Sequence, residues 1–417
     1  MERSYKIMHL KFFILLLLFA GNSFAKTLKV GVNQTYHTIK EAVEKSSAGD
    51  TVLIYPGTYK VQQLIITKRI VLKGIDFPVL DGENKDEIIT IKCDAVVVEG
   101  LHIINAGRSS YNDIAALRIA DSRYVTIKNN KIENSYFGIY SQHATSCTIS
   151  GNTLISDAKD EISSGNGIHC WKSDSMQILG NTVTGHRDGI YFEFVSNSLI
   201  KSNTSFQNVR YGLHFMFSNS NTYISNIFKD NGAGVAVMYS KGIRMFFNTF
   251  SDNWGSSAYG ILMKDITDSH VEGNKFIRNT VGVHMEGSNR IILTKNVFEN
   301  NGWALKIQAS CMDNVIKQNN FKSNSFDVAT NGDLMLNKFE NNYWDKYDGY
   351  DLNRNGIGDV PYRTVSLFSM ISERNASCMM LFRSFIVNLL DKAEKMLPVI
   401  TPVDLKDDQP LMKPLKL

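Results

Sequence analysis

The chain repeats, and its repeat has one rigid arc and one elastic arc. Asn130, Asn152, Asn181, Asn203, Asn226, Asn248, Asn274 and Asn296 mark one corner, and Gly138, Gly167, Gly189, Gly212, Gly234, Gly260 and Gly282 mark another. Each Gly is followed by the next Asn after 14 residues, whereas the step from Asn to Gly runs 8, 15, 8, 9, 8, 12 and 8. Stacked coils produce this asymmetry, because one edge can bulge while the rest of each coil must lie on its neighbours. The residue after the Gly is Ile139, Ile168, Ile190, Leu213, Val235, Ile261 or Val283. Eleven after it stand Ile149, Ile178, Ile200, Tyr223, Met245, Val271 and Leu293. Two after the Asn stand Ile132, Leu154, Val183, Phe228, Phe250, Phe276 and Phe298, with Ser205 interrupting once. Three apolar columns on short strands with two-residue alternation imply three faces around one core. Asn suits a corner that turns near the left-handed region and hydrogen-bonds its copy one coil away. The expected fold is all-β, a single-stranded parallel β-helix of about a dozen coils, near ~60 Å long at ~4.8 Å per coil. Spacing does not give its hand.

Both ends of the chain read differently from the repeat. Arg3, Lys6 and Lys11 precede the apolar run Phe12–Ala20, and the small residues Ser23 and Ala25 follow it. That order is a secretory signal peptide with cleavage after Ala25, and its apolar run is short for a membrane span. The chain is therefore expected to be exported. With Glu2, this segment carries half of the formal net charge of +4. What remains is too nearly neutral to hold nucleic acid by bulk electrostatics. A hydrophobic fraction of 43% excludes a disordered chain. Five cysteines without a CxxC spacing form neither a disulfide framework nor a zinc site. Thr38-Ile-Lys-Glu41 is a capping box that opens a helix running to about Ser47. Gly49-Asp50 ends it, Thr51–Tyr55 starts a strand, and Ile65–Leu72, Glu87–Ile91 and Ala95–Glu99 are further β runs. No long helical period precedes about residue 375. Met379–Met396, broken by Arg383, Asp391 and Lys392, reads as a capping or docking helix. The expected segments are residues 1–25, the β-helix 26–345, and a tail 346–417.

If the first and third positions after each Gly face inward, the second and fourth face out. The outward pairs are His169 and Trp171, Tyr191 and Glu193, His214 and Met216, Ala236 and Met238, Leu262 and Lys264, His284 and Glu286. Met216 and Met238 then lie on adjacent coils ~4.8 Å apart, with His214 beside them and Glu193 one coil below. Thioether and imidazole together suit Cu(I), making His214, Met216, Met238 and Glu193 candidate copper residues. The same stripe also reads as an apolar docking surface. Met245, Met263 and Met285 fall on inward columns and read as packing; Cys93, Cys147, Cys170 and Cys311 read as buried free thiols.

The insertions Ser156–Gly165, with Asp157, Asp160 and Glu161, and Ser251–Tyr259, with Asp252 and Trp254, read as binding loops or as tolerated bulges. Asp351-x-Asn353-x-Asn355-Gly356-x-x-Asp359 places oxygen ligands at alternate positions, as in a calcium loop. Tyr362 stands where such a loop needs a bidentate Glu, so the segment is either a weak calcium site or an Asx-rich turn closing the β-helix. An exported polysaccharide lyase or glycoside hydrolase is the rival function. A glycosidase needs two carboxyls roughly 5–9.5 Å apart. Glu193 and Glu286 are four coils or ~19 Å apart and fail, which leaves Asp160, Glu161 and Asp188 as a group that could meet.

Two resemblances add to this reading. Thr38-Ile-Lys-Glu-Ala, Gly49-Asp-Thr-Val and Tyr55-Pro-Gly-Thr-Tyr59 resemble the start of right-handed β-helices of the pectin-lyase-like class, which implies the hand and a helix capping the first coil. Arg187-Asp-Gly-Ile-Tyr-Phe192, Arg210-Tyr-Gly-Leu-His-Phe-Met-Phe-Ser218 and Gly232-Ala-Gly-Val-Ala-Val-Met-Tyr-Ser240 are similar to the NosD family. So are Tyr343-Trp-Asp, Asp351-Leu-Asn-Arg-Asn-Gly-Ile-Gly-Asp-Val-Pro-Tyr362 and the tail Pro410-Leu-Met412. The resemblance implies a periplasmic, non-catalytic accessory protein that helps assemble the copper centres of nitrous oxide reductase. It implies an ABC transporter as partner, made of a membrane subunit and its ATPase, and the chain has no phosphate-binding loop of its own. The expected role is to receive or hand over Cu(I), or to position a copper chaperone and the apo-reductase.

Overall fold

The computed structural model describes residues 25–109, 112–162, 164–332, 336–382, 384–396 and 405–417. The expected signal peptide therefore lies almost wholly outside the described residues. Within them the short strands assemble into three sheets of 16, 12 and 13 strands. From strand to strand each sheet climbs one coil at a time in parallel register, giving a right-handed β-helix of about 14 turns. The 12-stranded sheet holds the strands that follow each Gly, such as Tyr211–Met216 and Ala233–Met238. We term it the Gly face. The 13-stranded sheet holds those after each Asn, such as Ile227–Lys229, and is the Asn face. The third face carries strands such as Arg244–Phe246.

The three apolar columns meet on the axis as one core. On the Asn face Phe228, Phe250, Phe276, Phe298, Phe321 and Trp344 form a continuous stack, with ring centroids 4.1 to 5.6 Å apart. Where Ser205 interrupts this column, its Oγ donates to the Gly212 carbonyl at 2.7 Å and accepts from Asn208 Nδ2 at 3.0 Å. The buried hydroxyl is thereby satisfied.

The Asn corner is a hydrogen-bonded ladder. Asn226 Nδ2 donates to Asn248 Oδ1 and to the Ile200 carbonyl, each at 2.9 Å, and its backbone N–H reaches the same Oδ1 at 2.9 Å. The pattern continues to Asn342. One expectation is corrected here: the left-handed backbone belongs to the residue before each Asn, as at Ser202, Ser225, Phe247 and Lys295, with φ between 55° and 57°. The Asn side chain has to reach inward along the axis, so its neighbour makes the corner. A second ladder of Asn208, Asn231, Asn253, Asn279, Asn301 and Asn324 runs beside the first. Each member follows a first-ladder Asn by five residues. At its head stands His186, whose N–H donates to Asn208 Oδ1 at 3.1 Å.

The ends depart from the repeat. Helix α1 (Ile39–Lys45) covers the first coil, and Thr38 Oγ1 accepts from the Glu41 N–H at 3.3 Å. The run Ile65–Leu72 is not one strand: Leu64–Ile66 lies in the Gly face and Val71–Gly74 in the third face, because a coil corner falls between them. Helix also begins earlier than expected, with α2 (Leu367–Arg374), then a 3₁₀ turn (Ala376–Leu381) and α3 (Phe385–Met396). The buried residues of α2 are Phe368, Ser369, Met370 and Ser372, and the serines blur the apolar period. These helices fold back onto the outside of the Gly face, where Phe326 meets Trp303, Phe382 and Phe368 at 4.1, 5.2 and 5.9 Å. Last, Lys406–Asp407 rejoins the third face, and Asp407 Oδ2 accepts from Asn342 N–H, Asn342 Nδ2 and Trp344 Nε1 at 2.9 to 3.1 Å. Among the described residues no helix is long and apolar enough to cross a membrane.

Candidate functional site on the Gly face

The strand register sets the side chains of interest in rows. Glu193, Met216, Met238 and Lys264 are successive neighbours in one row, and Tyr191, His214 and Ala236 in the next. Met216 and Met238 are both half-buried. The second-position row points outward as expected, yet it is not exposed: His169, Tyr191 and His214 retain only 6 to 9% of their surface and Ala236 none. Two features cover it. The rings lie against one another, with centroids 4.6 to 4.8 Å apart from Tyr140 through His169 and Tyr191 to His214. In addition, the residue before each Gly also faces out, so Phe137, Asp188 and Tyr211 crowd the same row. The alternation slips by one at the Gly, and strict two-residue counting missed this third outward row.

Charge at the middle of the face centres on Asp188, which is fully buried. Arg210 grips it with Nε at 2.8 Å and Nη2 at 2.5 Å, and His214 Nδ1 lies 3.6 Å away. Burial alone would raise this carboxyl; the Arg210 hydrogen bonds and the nearby His214 imidazole outweigh it and hold the group down at about 2. His169 is pushed down to about 3 by burial, with Arg187 adding to it, and is neutral at physiological pH. The Tyr191 hydroxyl donates to Met216 Sδ at 3.7 Å, which ties that thioether to the ring row.

An exposed strip borders the methionines. Phe194, Phe217 and Tyr239, each directly after a member of the Glu193–Met216–Met238 row, stack at 5.2 and 5.0 Å and remain 40 to 45% exposed. Their φ angles are 51° to 55°, and those of His143, Lys172 and Asp265 in equivalent corners are 46° to 52°. The backbone is therefore a property of the repeat, and the aromatic side chains are particular to these three coils. An aromatic at the fifth position after three successive glycines was the available sequence signal.

The insertions are held at their bases. Asp157 pairs with Arg108 at 2.9 Å, Asp160 Oδ1 accepts from the Ile162 N–H at 3.0 Å, and Asp252 pairs with Arg278 at 2.6 Å. Trp254 is 57% exposed. Glu161 and Asp188 do meet, but on one guanidinium, since Glu161 lies 4.0 Å from Arg210. Asp188, held ionised by Arg210, lacks the proton that a glycosidase acid must deliver.

In the proposed calcium loop the oxygens turn onto the backbone. Asp351 Oδ1 and Oδ2 accept from Asn355 and Gly356, Asn353 Oδ1 from Asn355, Asn355 Oδ1 from Ile357, and Asp359 Oδ2 from Leu352. These are the bonds of an Asx-rich turn. Gly356 O and Pro410 O bond Met412 and Gly358 across to the tail, so the turn anchors the chain's last residues. A cavity of about 580 Å³ lies at this end, remote from the methionines, with the buried Asp327 in its wall.

Among the described residues no three His, Cys, Asp or Glu side chains converge on a metal position. A metal on the Gly face would therefore depend on thioethers. The donors fit a soft ion: both ring nitrogens of His214 are buried without a hydrogen-bond partner, and two methionine sulfurs lie in the adjacent row. Glu193, half-buried beside Met216, is a hard oxygen donor and fits less well. Met245, Met263 and Met285 are fully buried in the core, as are Cys147, Cys170 and Cys311; Cys93 is half-buried, and none of the cysteines is bridged.

Residues 148–353 match the family described as "Periplasmic copper-binding protein (NosD)". The chain is 28% identical over 356 residues to the "Probable ABC transporter binding protein NosD" of Stutzerimonas stutzeri, covering 80% of each chain. It is 26% identical to the protein of the same description in Pseudomonas aeruginosa, covering 80% of this chain and 82% of that one. Among solved structures, the catalytic domain of a GH87 α-1,3-glucanase matches with a TM-score of 0.64 at 11% identity, covering 78% of this chain and 70% of that one. A PL6 alginate lyase matches with a TM-score of 0.57 at 13% identity, covering 76% and 85%. At such identities the two enzymes share the β-helix alone.

Proposed function

We propose, on the premise that the chain belongs to the NosD family, that it is an exported, non-catalytic accessory protein in the maturation of the copper centres of nitrous oxide reductase. It would bind Cu(I) on the Gly face and pass it on in company with an ABC transporter, a copper chaperone and the apo-reductase. The observation that carries this reading is the soft-donor group: Met216 in register with Met238, and His214 two residues from Met216 on the same outward side. His214 and the two thioethers would hold the ion, with the Tyr191 hydroxyl on Met216 keeping that side chain in place. Copper bound there would stay close to the surface, as an ion that has to be handed on requires.

The stacked Phe194, Phe217 and Tyr239 support a second reading of the same region, as the seat of the partner that delivers or receives the metal. The two readings are compatible and separable. Titration of residues 26–417 with Cu(I) against a competing chelator under anoxic conditions tests the first. Binding that is lost in His214→Ala and in the double variant Met216→Leu with Met238→Leu would support the site. Binding absent, or unchanged by those substitutions, would sink it and leave the strip as a docking surface.

A further inference from the structure

We propose that Asp188 is the positioning residue for His214: it fixes the imidazole proton on Nδ1 and so leaves Nε2 with the free electron pair that a soft metal ion needs. The inference rests on the copper reading above and names how that site is prepared. Asp188 is surrounded by donors only. Oδ1 accepts from Arg210 Nε at 2.8 Å and from the Tyr211 N–H at 3.3 Å, and Oδ2 accepts from Arg210 Nη2 at 2.5 Å. His214 Nδ1 faces Oδ2 from 3.6 Å. A carboxylate offers nothing but lone pairs, so a ring nitrogen turned toward it is stable there only with its hydrogen. In the neutral ring the other nitrogen is then bare.

The ring is not free to exchange its ends. Tyr191 lies against one side at 4.7 Å and 29° between planes, and Tyr211 crowds it at 4.9 Å and 53°. Asp188 is itself held by Arg210, whose other neighbour is Glu161 at 4.0 Å. Both ring nitrogens of His214 are buried without a hydrogen-bond partner, and only Nδ1 has a carboxylate within 4 Å, which leaves Nε2 as the nitrogen with nothing to hold a proton on it. Carboxylates in this outer position commonly set both the tautomer and the ring orientation of a metal-binding histidine.

His169 supplies a contrast two turns away in the same row, with Tyr191 between them. It is equally buried and lies between Tyr140 and Tyr191, but its Nδ1 faces the Asn166 Nδ2 amide at 3.5 Å. An amide donor requires the lone pair on Nδ1 and puts the proton on Nε2. The two histidines, one on either side of Tyr191, are thus expected to hold opposite tautomers, and only the one beside the methionines presents Nε2 as a ligand.

The test is the imidazole ¹H–¹⁵N two-bond correlation spectrum of metal-free, ¹⁵N-labelled protein (residues 26–417) at pH 7. His214→Gln and His169→Gln assign the two rings among the eight histidines of residues 26–417. The expected result is Nδ1–H for His214 and Nε2–H for His169. In Asp188→Asn, the amide should convert His214 to Nε2–H and weaken Cu(I) binding by roughly 10- to 100-fold, the range for loss of such an outer partner. A wild-type His214 with its proton on Nε2 would overturn the proposal, and that spectrum decides the matter even if Asp188→Asn does not fold. So would an Asp188→Asn protein whose His214 keeps the Nδ1–H form. Nδ1–H in a wild-type protein that binds no Cu(I) would leave the positioning geometry standing and overturn the copper reading instead.

Discussion

Asp188, in the middle of the Gly face, and Asp327, on its last coil, are both buried, and their surroundings meet the cost of burial in opposite ways. Around Asp188 a guanidinium and an imidazole keep the carboxylate charged. Around Asp327 burial dominates, and its carboxyl is pushed above the ordinary range despite the Tyr362 hydroxyl at 2.9 Å and Lys346 at 3.5 Å. One of its oxygens is buried with no partner at all. The difference separates two uses of one sheet. The middle coils organise charge and soft donors beside an exposed strip; the last coils are closed by α2, α3 and the returning tail. A buried charge is compensated by donors where something is to be oriented, and burial outweighs its partners where the task is closure.

Removing the charge at each site should sharpen this contrast. Asp188→Ala strands the Arg210 guanidinium against a buried surface, and we expect a loss of about 3–5 kcal/mol in denaturant unfolding at pH 7. Asn248→Ala, on the corner both regions share, breaks four ladder bonds and leaves buried donors unpaired. With ~1–3 kcal/mol per orphaned group, a loss of about 3 kcal/mol is expected by the same assay.

Acid titration should then set the two carboxylates apart. The folded pKa of Asp188 lies below its unfolded value, so its ionised form stabilises the fold above about pH 4. That contribution, ~2 kcal/mol, should disappear as pH falls toward about 2, and Asp188→Asn should flatten this part of the profile. For Asp327 the folded value is raised, so the wild type should lose stability as pH climbs through and above the ordinary carboxylate range. Asp327→Asn should remove that slope. The smallest effect is expected at the insertion edge: Asp252→Asn, which opens an exposed pair with Arg278, should move unfolding by no more than ~0.5 kcal/mol.

Most of the scaffold was legible because it is periodic. The fixed step from Gly to Asn located the strands, and three apolar columns gave three faces. Periodicity also carried the register of Met216 on Met238. What it hid were the departures that every coil shares or that occur once. The two consecutive inward residues at each Gly create an additional outward row, and with it Asp188 and Tyr211 beside His214. Alternation counted from the Gly cannot reveal a slip that every coil repeats. The left-handed corner was assigned to Asn because that residue tolerates it, yet Ser225, Phe247 and Lys295 adopt it to free Asn for its ladder. Helix α2 escaped notice since its buried side includes two serines. The ion pair of Arg210 with Asp188 joins residues one coil apart, and charge alone in the sequence does not distinguish it from a surface pair.

The return of Asp407 to the foot of the Asn ladder has a consequence for assembly. Every rung donates an amide hydrogen to the next coil toward the foot and accepts from the coil before it, so a solenoid cut at Asn342 would end in a row of donors and open strand edges that match the start of another copy. Asp407 terminates the row with an oxygen that has no N–H of its own to pass on, and Lys406–Asp407 meets Tyr362–Arg363 in the antiparallel sense. At the opposite end α1 lies over the first coil. The molecule is a one-dimensional crystal with both growth faces poisoned, and its finite length is written into its last dozen residues.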